Sequence, residues 1–333
     1  MAAARYDILG FGNAIVDVIA LAEDDLLAKH GLNKGGMQLV DEATAQKLYE
    51  AMGPTTVVSG GSAANTIIGA ASFGCSTAFV GRVKADEPGD MFAHDIRQAK
   101  VAFSTAPSTD GPATARCLVF VTPDGQRTMN TYLGACQNLT EADVDEDMVK
   151  HSAITYLEGY LWDPPAAKAA FVKASHIARA AGQRVALTLS DAFCVDRYRD
   201  EFLGLIRDGS VQILFANEHE LKSLYQTADV DTALGLLRAE KLLAVITRSE
   251  KGCVVIEGDT SLAVPAFPVN AVVDTTGAGD LFAAGFLAGL TRAKDIATCA
   301  RLGALAAAEI IQHIGARPQT DLARLAADNG LVL

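Results

Sequence analysis

The chain has 333 residues, of which 50% are hydrophobic, 20% charged and 6% aromatic. At roughly 150 residues per domain this length fits two domains or one large α/β unit, and the composition excludes a disordered or collagen-like polymer. A formal charge of −12 disfavours non-specific attraction to nucleic acid or to an anionic membrane surface, so any phosphate must be held by local dipoles.

The first predicted element is a strand within residues 5–12, where YDILGFG is a short apolar run closed by glycines, the pattern of a buried parallel strand feeding a turn. Asp7, Asn13 and Asp17 interrupt this stretch, so it is neither a signal core nor a membrane span, and a cytoplasmic protein without membrane partners is expected. Asn13 and Asp17 follow the strand, where open α/β sheets gather ligand groups. An ionised Asp accepts hydrogen bonds from two adjacent hydroxyls, which makes Asp17 either a substrate clamp or a solvated loop acid.

Residues 17–40 and 101–132 break an otherwise regular alternation of strands and helices. They are expected to combine as a small β lid, with 122–125 as a hairpin turn. Between them, Ser59-Gly60-Gly61-Ser62-Ala63-Ala64-Asn65 reads as a loop entering a helix. Its paired glycines permit close backbone approach and Asn65 can bind hydroxyls of a neutral polyol; a tight turn with a helix cap is the simpler alternative.

Strand-like runs at 78–80, 118–122, 154–158, 185–189, 213–216, 244–247 and 253–257 are several times separated by Ala-rich segments of helical length. They predict right-handed βαβ crossovers, hence an α/β fold with a doubly wound, mostly parallel sheet flanked by helices. The six cysteines are scattered without a CxxC pair and read as reduced, mostly buried thiols. No His carries the paired spacing of a zinc site.

The densest chemical signal is Val273-Asp274-Thr275-Thr276-Gly277-Ala278-Gly279-Asp280, which runs into LFAAGFLAGL, an apolar stretch of helical length. Consecutive backbone N–H groups at such a helix start, reinforced by the helix dipole, form an anion cradle without a lysine. Asp280 sits beside the cradle, where a carboxylate can take a proton from a hydroxyl while the amides hold a phosphoryl group. The alternative is that the glycines serve close packing and Asp280 caps the helix. The loop is not the GxxxxGK[ST] phosphate loop, and Gly10-Phe11-Gly12 lacks the third glycine of a dinucleotide fingerprint.

Together GNAIVD at 12–17, GGSAAN at 60–65 and DTTGAGD at 274–280 resemble the blocks of the ribokinase-like, or PfkB-type, carbohydrate and nucleoside kinases over essentially the whole chain. The resemblance implies transfer of the ATP γ-phosphoryl group to a primary hydroxyl. It implies Asp280 as catalytic base, the amides of Gly277, Ala278 and Gly279 as anion hole, and Asn13, Asp17, Gly61, Ser62 and Asn65 as the hydroxyl-binding set. Asn217 and Glu220 resemble the family's NxxE element near a hydrated Mg2+. Thr247 and Gly252 fall in the place of its TxGxxG nucleotide loop, although Ser249 replaces the first glycine there. Asp274 and Thr276, with carbonyls near 313–315, resemble a monovalent cation (K+) site, and Arg127 resembles a lid residue that reaches the phosphates. The segment 189–196 does not reproduce the family's DxNxR pattern, so no site is assigned to it.

KGGMQLVD at 34–41 and GQRTMNTYLGAC at 125–136 resemble the adenosine-kinase-like members. A purine needs an apolar slot, for which Ile15, Met37, Phe103, Phe120 and Met129 are the candidates, and Trp162 lies beyond a strand as a further wall candidate. The expected acceptor is thus adenosine or a related nucleoside, with a sugar such as fructose or ribose second and a silent ligand-binding regulator third. Monomer and homodimer both remain open.

Overall fold

The computed structural model describes residues 4–333. Among these, fourteen strands run in chain order: β1 Tyr6–Phe11, β2 Ile15–Leu21, β3 Met37–Leu39, β4 Thr55–Gly60, β5 Thr77–Val80, β6 Val101–Phe103, β7 Ala115–Val121, β8 Arg127–Tyr132, β9 Ser152–Glu158, β10 Arg184–Thr188, β11 Ile213–Asn217, β12 Leu243–Thr247, β13 Cys253–Glu257 and β14 Thr260–Val264. They form two sheets. The larger has the order β14-β13-β12-β11-β10-β9-β1-β5-β6. It is parallel from β6 to β12, with two antiparallel strands, β13 and β14, added at one edge.

Alternate side chains of these strands enter two separate cores. Ile8, Tyr156 and Phe215 pack on one face, against the helices Ser62–Ser72, Ala278–Thr291 and Ile296–Ile310. Their neighbours Leu9, Leu157 and Leu214 pack on the other, against Phe171 and Phe202. A period of two with apolar residues on both faces is what a sheet covered on both sides demands. The α/β fold with a mostly parallel sheet flanked by helices is therefore the one the sequence predicts.

The smaller sheet has the order β3-β8-β7-β2-β4. The β7–β8 hairpin closes at the predicted turn, where the Gly125 N–H donates to the Thr122 carbonyl at 2.8 Å. The lid segments need two corrections. Val101–Phe103 pairs with β5 at the edge of the large sheet, and Thr55–Gly60, outside both expected segments, pairs antiparallel with β2 in the small one. Both strands are short, and which sheet they join depends on partners distant in sequence rather than on their own pattern. Ile15, Ile19, Cys117, Val119, Val121 and Met129 give the small sheet an apolar cluster of its own.

All six cysteines are unpaired and buried. No helix among the described residues is long and apolar enough to cross a membrane.

Candidate active site

The helix Ala278–Thr291 is buried without interruption from Leu281 to Gly289, so its N-terminus is fixed by the core behind it. Gly277 caps that end in the left-handed region at φ 78°, where a side chain is strained. A Cβ there would also lie 2.8 Å from that of Ala316. The Gly277 and Gly279 amides have no acceptor among the described residues, while Ala278 N–H donates to the Thr275 carbonyl at 3.2 Å. The expected anion hole thus has two free donors, with the third lightly engaged.

Asp280 lies in the first turn of this helix. Its carboxylate accepts from Ser62 Oγ at 2.6 Å and from Asn65 Nδ2 at 2.9 Å. Ser62 and Asn65 are three residues apart on the helix Ser62–Ser72, hence on one face. Gly61 starts that helix at φ 97°, and a Cβ there would strike the Asn13 carbonyl. Burial pushes Asp280 up to about 6, against the opposing pull of Ser62, Asn65 and Arg317. The Oδ1 of Asn65 is buried without a donor, an acceptor that a hydroxyl of a bound molecule would satisfy.

Asp17 is on β2 rather than in a loop, and its carboxylate faces the same cleft. A Cβ on Gly60 would overlap it, so this glycine is needed for space. Burial pushes Asp17 up to about 6 as well; Arg317 and Arg127 pull it down and Asp280 pushes it up.

Glu158, at the end of β9, is 1% exposed. It accepts from Asn13 Nδ2 at 2.7 Å and from the Ala63 N–H at 2.8 Å. It therefore locks the Asn13 side chain and caps the helix that carries Ser62 and Asn65. Burial raises it to about 7, with those same donors opposing. Sequence reading placed Glu158 in a strand without giving it a role. The available signal was a lone carboxylate closing a buried apolar run.

Asn217 and Glu220 form a reciprocal capping box: the Asn217 N–H donates to Glu220 Oε2 at 2.9 Å and the Glu220 N–H to Asn217 Oδ1 at 2.9 Å, while the Asn217 Nδ2 donates to Glu220 Oε1 at 2.5 Å. Both side the cleft, as does Thr247, which pairs with Asn217 in the sheet. Burial raises Glu220 to about 7. Its carboxylate fits a hydrated Mg2+ through water, since Asn217 already binds both oxygens and leaves lone pairs for solvent.

Gly252 does not reach the cleft. It turns the β12–β13 hairpin at φ 84°, and Ser249 adopts φ 52° in the same turn, so the residue that departs from the glycine pattern still takes a glycine-like conformation.

Asp274, the candidate for an alkali cation, is engaged by groups of the protein itself. Its carboxylate accepts from the Thr276 N–H at 3.0 Å, the Gly315 N–H at 2.9 Å and the Arg127 guanidinium, which also donates to Thr276 Oγ at 2.9 Å. Two of these three donors, one of them cationic, fall on Oδ2 and one on Oδ1, so Oδ1 keeps a lone pair free. Arg127, expected toward phosphate, instead ties β8 of the small sheet to the glycine loop of the large one.

These groups line a cleft of about 660 Å³ between the sheets. Asn13, Asp17, Gly61, Ser62, Asn65, Arg127, Asn217, Glu220, Thr247 and Thr276 through Asp280 all border it. Of the proposed slot residues, Ile15, Met37 and Met129 line it. Phe103 and Phe120 do not: Phe103 stacks on Phe79 and Phe92, and Phe120 is fully buried. Trp162 is also core, packed on Phe171 and Phe202. The segment left unassigned contributes Ser190, Asp191 and Phe193 to the wall, with the Arg197 guanidinium 4.2 Å from the centre of the Phe193 ring.

The profile of the pfkB family carbohydrate kinases matches residues 37–322. The chain belongs to the pfkB family. Its structure resembles that of an adenosine kinase from Sinorhizobium meliloti, with 51% identity and a TM-score of 0.92 over 98% of this chain and 100% of that one. It also resembles a probable sugar kinase from Rhizobium etli, with 49% identity and a TM-score of 0.93 over 99% and 100% of the two chains. The adenosine kinase of Saccharomyces cerevisiae is 28% identical over 91% of this chain and 94% of its own. As a pfkB kinase the chain is a phosphotransferase that acts on a hydroxyl group.

Proposed function

We propose that this pfkB kinase transfers the γ-phosphoryl group of ATP to the 5′ hydroxyl of adenosine or a related nucleoside. The observation that carries the chemistry is Asp280, clasped by Ser62 and Asn65 beside the unengaged amides of Gly277 and Gly279. With the carboxylate ionised near neutral pH, it accepts the proton of the attacking hydroxyl. The amides and the helix dipole stabilise charge on the migrating phosphoryl group. Asp17 and the orphaned Oδ1 of Asn65 supply acceptors for ribose hydroxyls, and Asn13, held by Glu158, adds a polar wall. Magnesium bound with the triphosphate would neutralise its charge, with Glu220 and Asn217 holding water of that ion.

The choice of a nucleoside is supported by the apolar wall of Ile15, Met37, Val119, Met129 and Leu133, which suits a base better than a bare sugar, and by the similarity to adenosine kinases. A sugar acceptor is the second reading, favoured by the likeness to the Rhizobium etli protein. ADP release measured with adenosine, other nucleosides, ribose and fructose decides between them. Turnover is expected with adenosine; turnover with fructose alone would replace the nucleoside reading by the sugar one. Binding without ADP release would make the chain a silent regulator.

A further inference from the structure

Arg317 belongs to the loop after the helix Ile296–Ile310, and no feature of the sequence singles it out. Its guanidinium donates to the Ser59 carbonyl, to Ser59 Oγ at 2.6 Å and to the Ala64 carbonyl at 3.4 Å. Those two carbonyls stand on either side of the Gly60-Gly61 turn and the start of the helix that presents Ser62 and Asn65 to Asp280. Ser59 is itself held by Asp95, which accepts its N–H at 2.9 Å.

All of these bonds to Arg317 end on neutral oxygens, and its Nε is buried with no acceptor. Among the described residues Arg317 makes no direct ion pair. A half-buried cation without a contact anion is costly, yet here its field falls on three carboxylates, Asp95, Asp17 and Asp280. Arg127, the other cation near Asp17, is already committed to Asp274. The remaining titratable neighbours of the two cleft acids are Glu158, Glu220, Tyr156, Tyr160 and Cys117, none of which carries positive charge.

We propose that Arg317 is a positioning residue for the reaction, clipping the chain on both sides of the Gly60-Gly61 turn and serving Asp17 and Asp280 as a shared fixed cation. The proposal rests on the reading of those two acids as acceptor clamp and base. Without the guanidinium, each would carry its charge in the cleft with less compensation.

The test combines two readouts on the full-length protein, with Arg317→Met, Arg317→Lys and wild type compared after thermal unfolding confirms that each is folded. Carboxyl NMR of 13C-labelled aspartate, assigned with Asp17→Asn and Asp280→Asn, gives the two titration midpoints without substrate. Arg317→Met is expected to raise Asp17 by about one unit and Asp280 by less, since Ser62 and Asn65 pull on Asp280 more strongly than the guanidinium does, and to move the acidic limb of kcat/KM upward with them. Arg317→Lys keeps the charge but not the fork, so it returns the midpoints toward wild type while the acceptor KM stays raised. Where the Met variant does not fold, Arg317→Gln removes the charge and keeps donors for Ser59. Unshifted midpoints in a folded neutral variant overturn the proposal, as do equal losses in the Lys and neutral variants with no change in pH profile. A wild type that releases no ADP with any acceptor removes the kinase reading, whereas the NMR midpoints decide the electrostatic role by themselves.

Discussion

Asp280 combines two properties that pull against each other, a half-buried carboxylate and a place beside an anion hole. Burial raises it, while donation from Ser62 and Asn65 keeps it ionised at neutral pH, leaving a base whose proton affinity is closer to that of its task than a surface Asp would offer. Asp280→Asn is expected to lower kcat by roughly 10²–10⁴-fold with ATP affinity by calorimetry nearly unchanged, because the proton moves only in the chemical step. An Asn variant with wild-type kcat would dismiss the base. Since Asp17 and Asp280 both titrate at about 6 and both act as anions, activity is present above that pH and lost below it. The logarithm of kcat/KM should fall with a slope near two on the acid side, dropping to one in Asp17→Asn. A slope of one in the wild type would show that only one of the acids must be ionised. Of the residues in this network, Asp17, Asn65 and Asp280 were legible from their motifs. Glu158 and Arg317 were not, because a lone charge next to an apolar run or a proline does not reveal what it will face.

At the level of elements, three helix starts converge on the cleft, beginning at Ser62, Glu218 and Ala278. Each follows a strand or loop that delivers it to the carboxyl end of the parallel sheet, where helix dipoles point their positive ends at one place. The two glycine-rich starts were readable because each needs glycine: a Cβ at Gly61 would strike the Asn13 carbonyl and one at Gly277 would crowd Ala316. Gly277→Ala forces a side chain into the left-handed region and toward Ala316. It should cost about 1–3 kcal/mol in urea unfolding and weaken protection of the fold by ATP. A variant with unchanged midpoint and unchanged ATP protection would show that the turn can be built otherwise. Strands β4 and β6 mark the opposite case. Each is a handful of residues whose sheet is chosen by partners far away, so local pattern carries no information about it.

Across the molecule, a buried ion pair, Arg127 to Asp274, with side chains 9% and 4% exposed, ties the two sheets over the cleft. Removing one partner leaves the other charge buried and unpaired, which typically costs 3–5 kcal/mol. Arg127→Met is therefore expected to speed hydrogen exchange in β7 and β8 well before β9 to β12, since the loss falls on the small sheet's attachment. Uniform exchange across both sheets would instead place the pair in a global role. Closing the small sheet over the cleft excludes water from an activated phosphoryl group, so the same variant should waste more ATP in the absence of acceptor.

The sequence by itself determined the alternation of buried strands and helices, the two glycine turns and the acid that follows the second, because these depend on residues close together in the chain. Only the tertiary structure decided which cations compensate the cleft acids, that Asp274 pairs with Arg127, and which apolar side chains face the cleft rather than the core. Those outcomes depend on pairs such as Arg127 with Asp274 or Arg317 with Ser59, more than a hundred residues apart, which meet only when the two sheets pack.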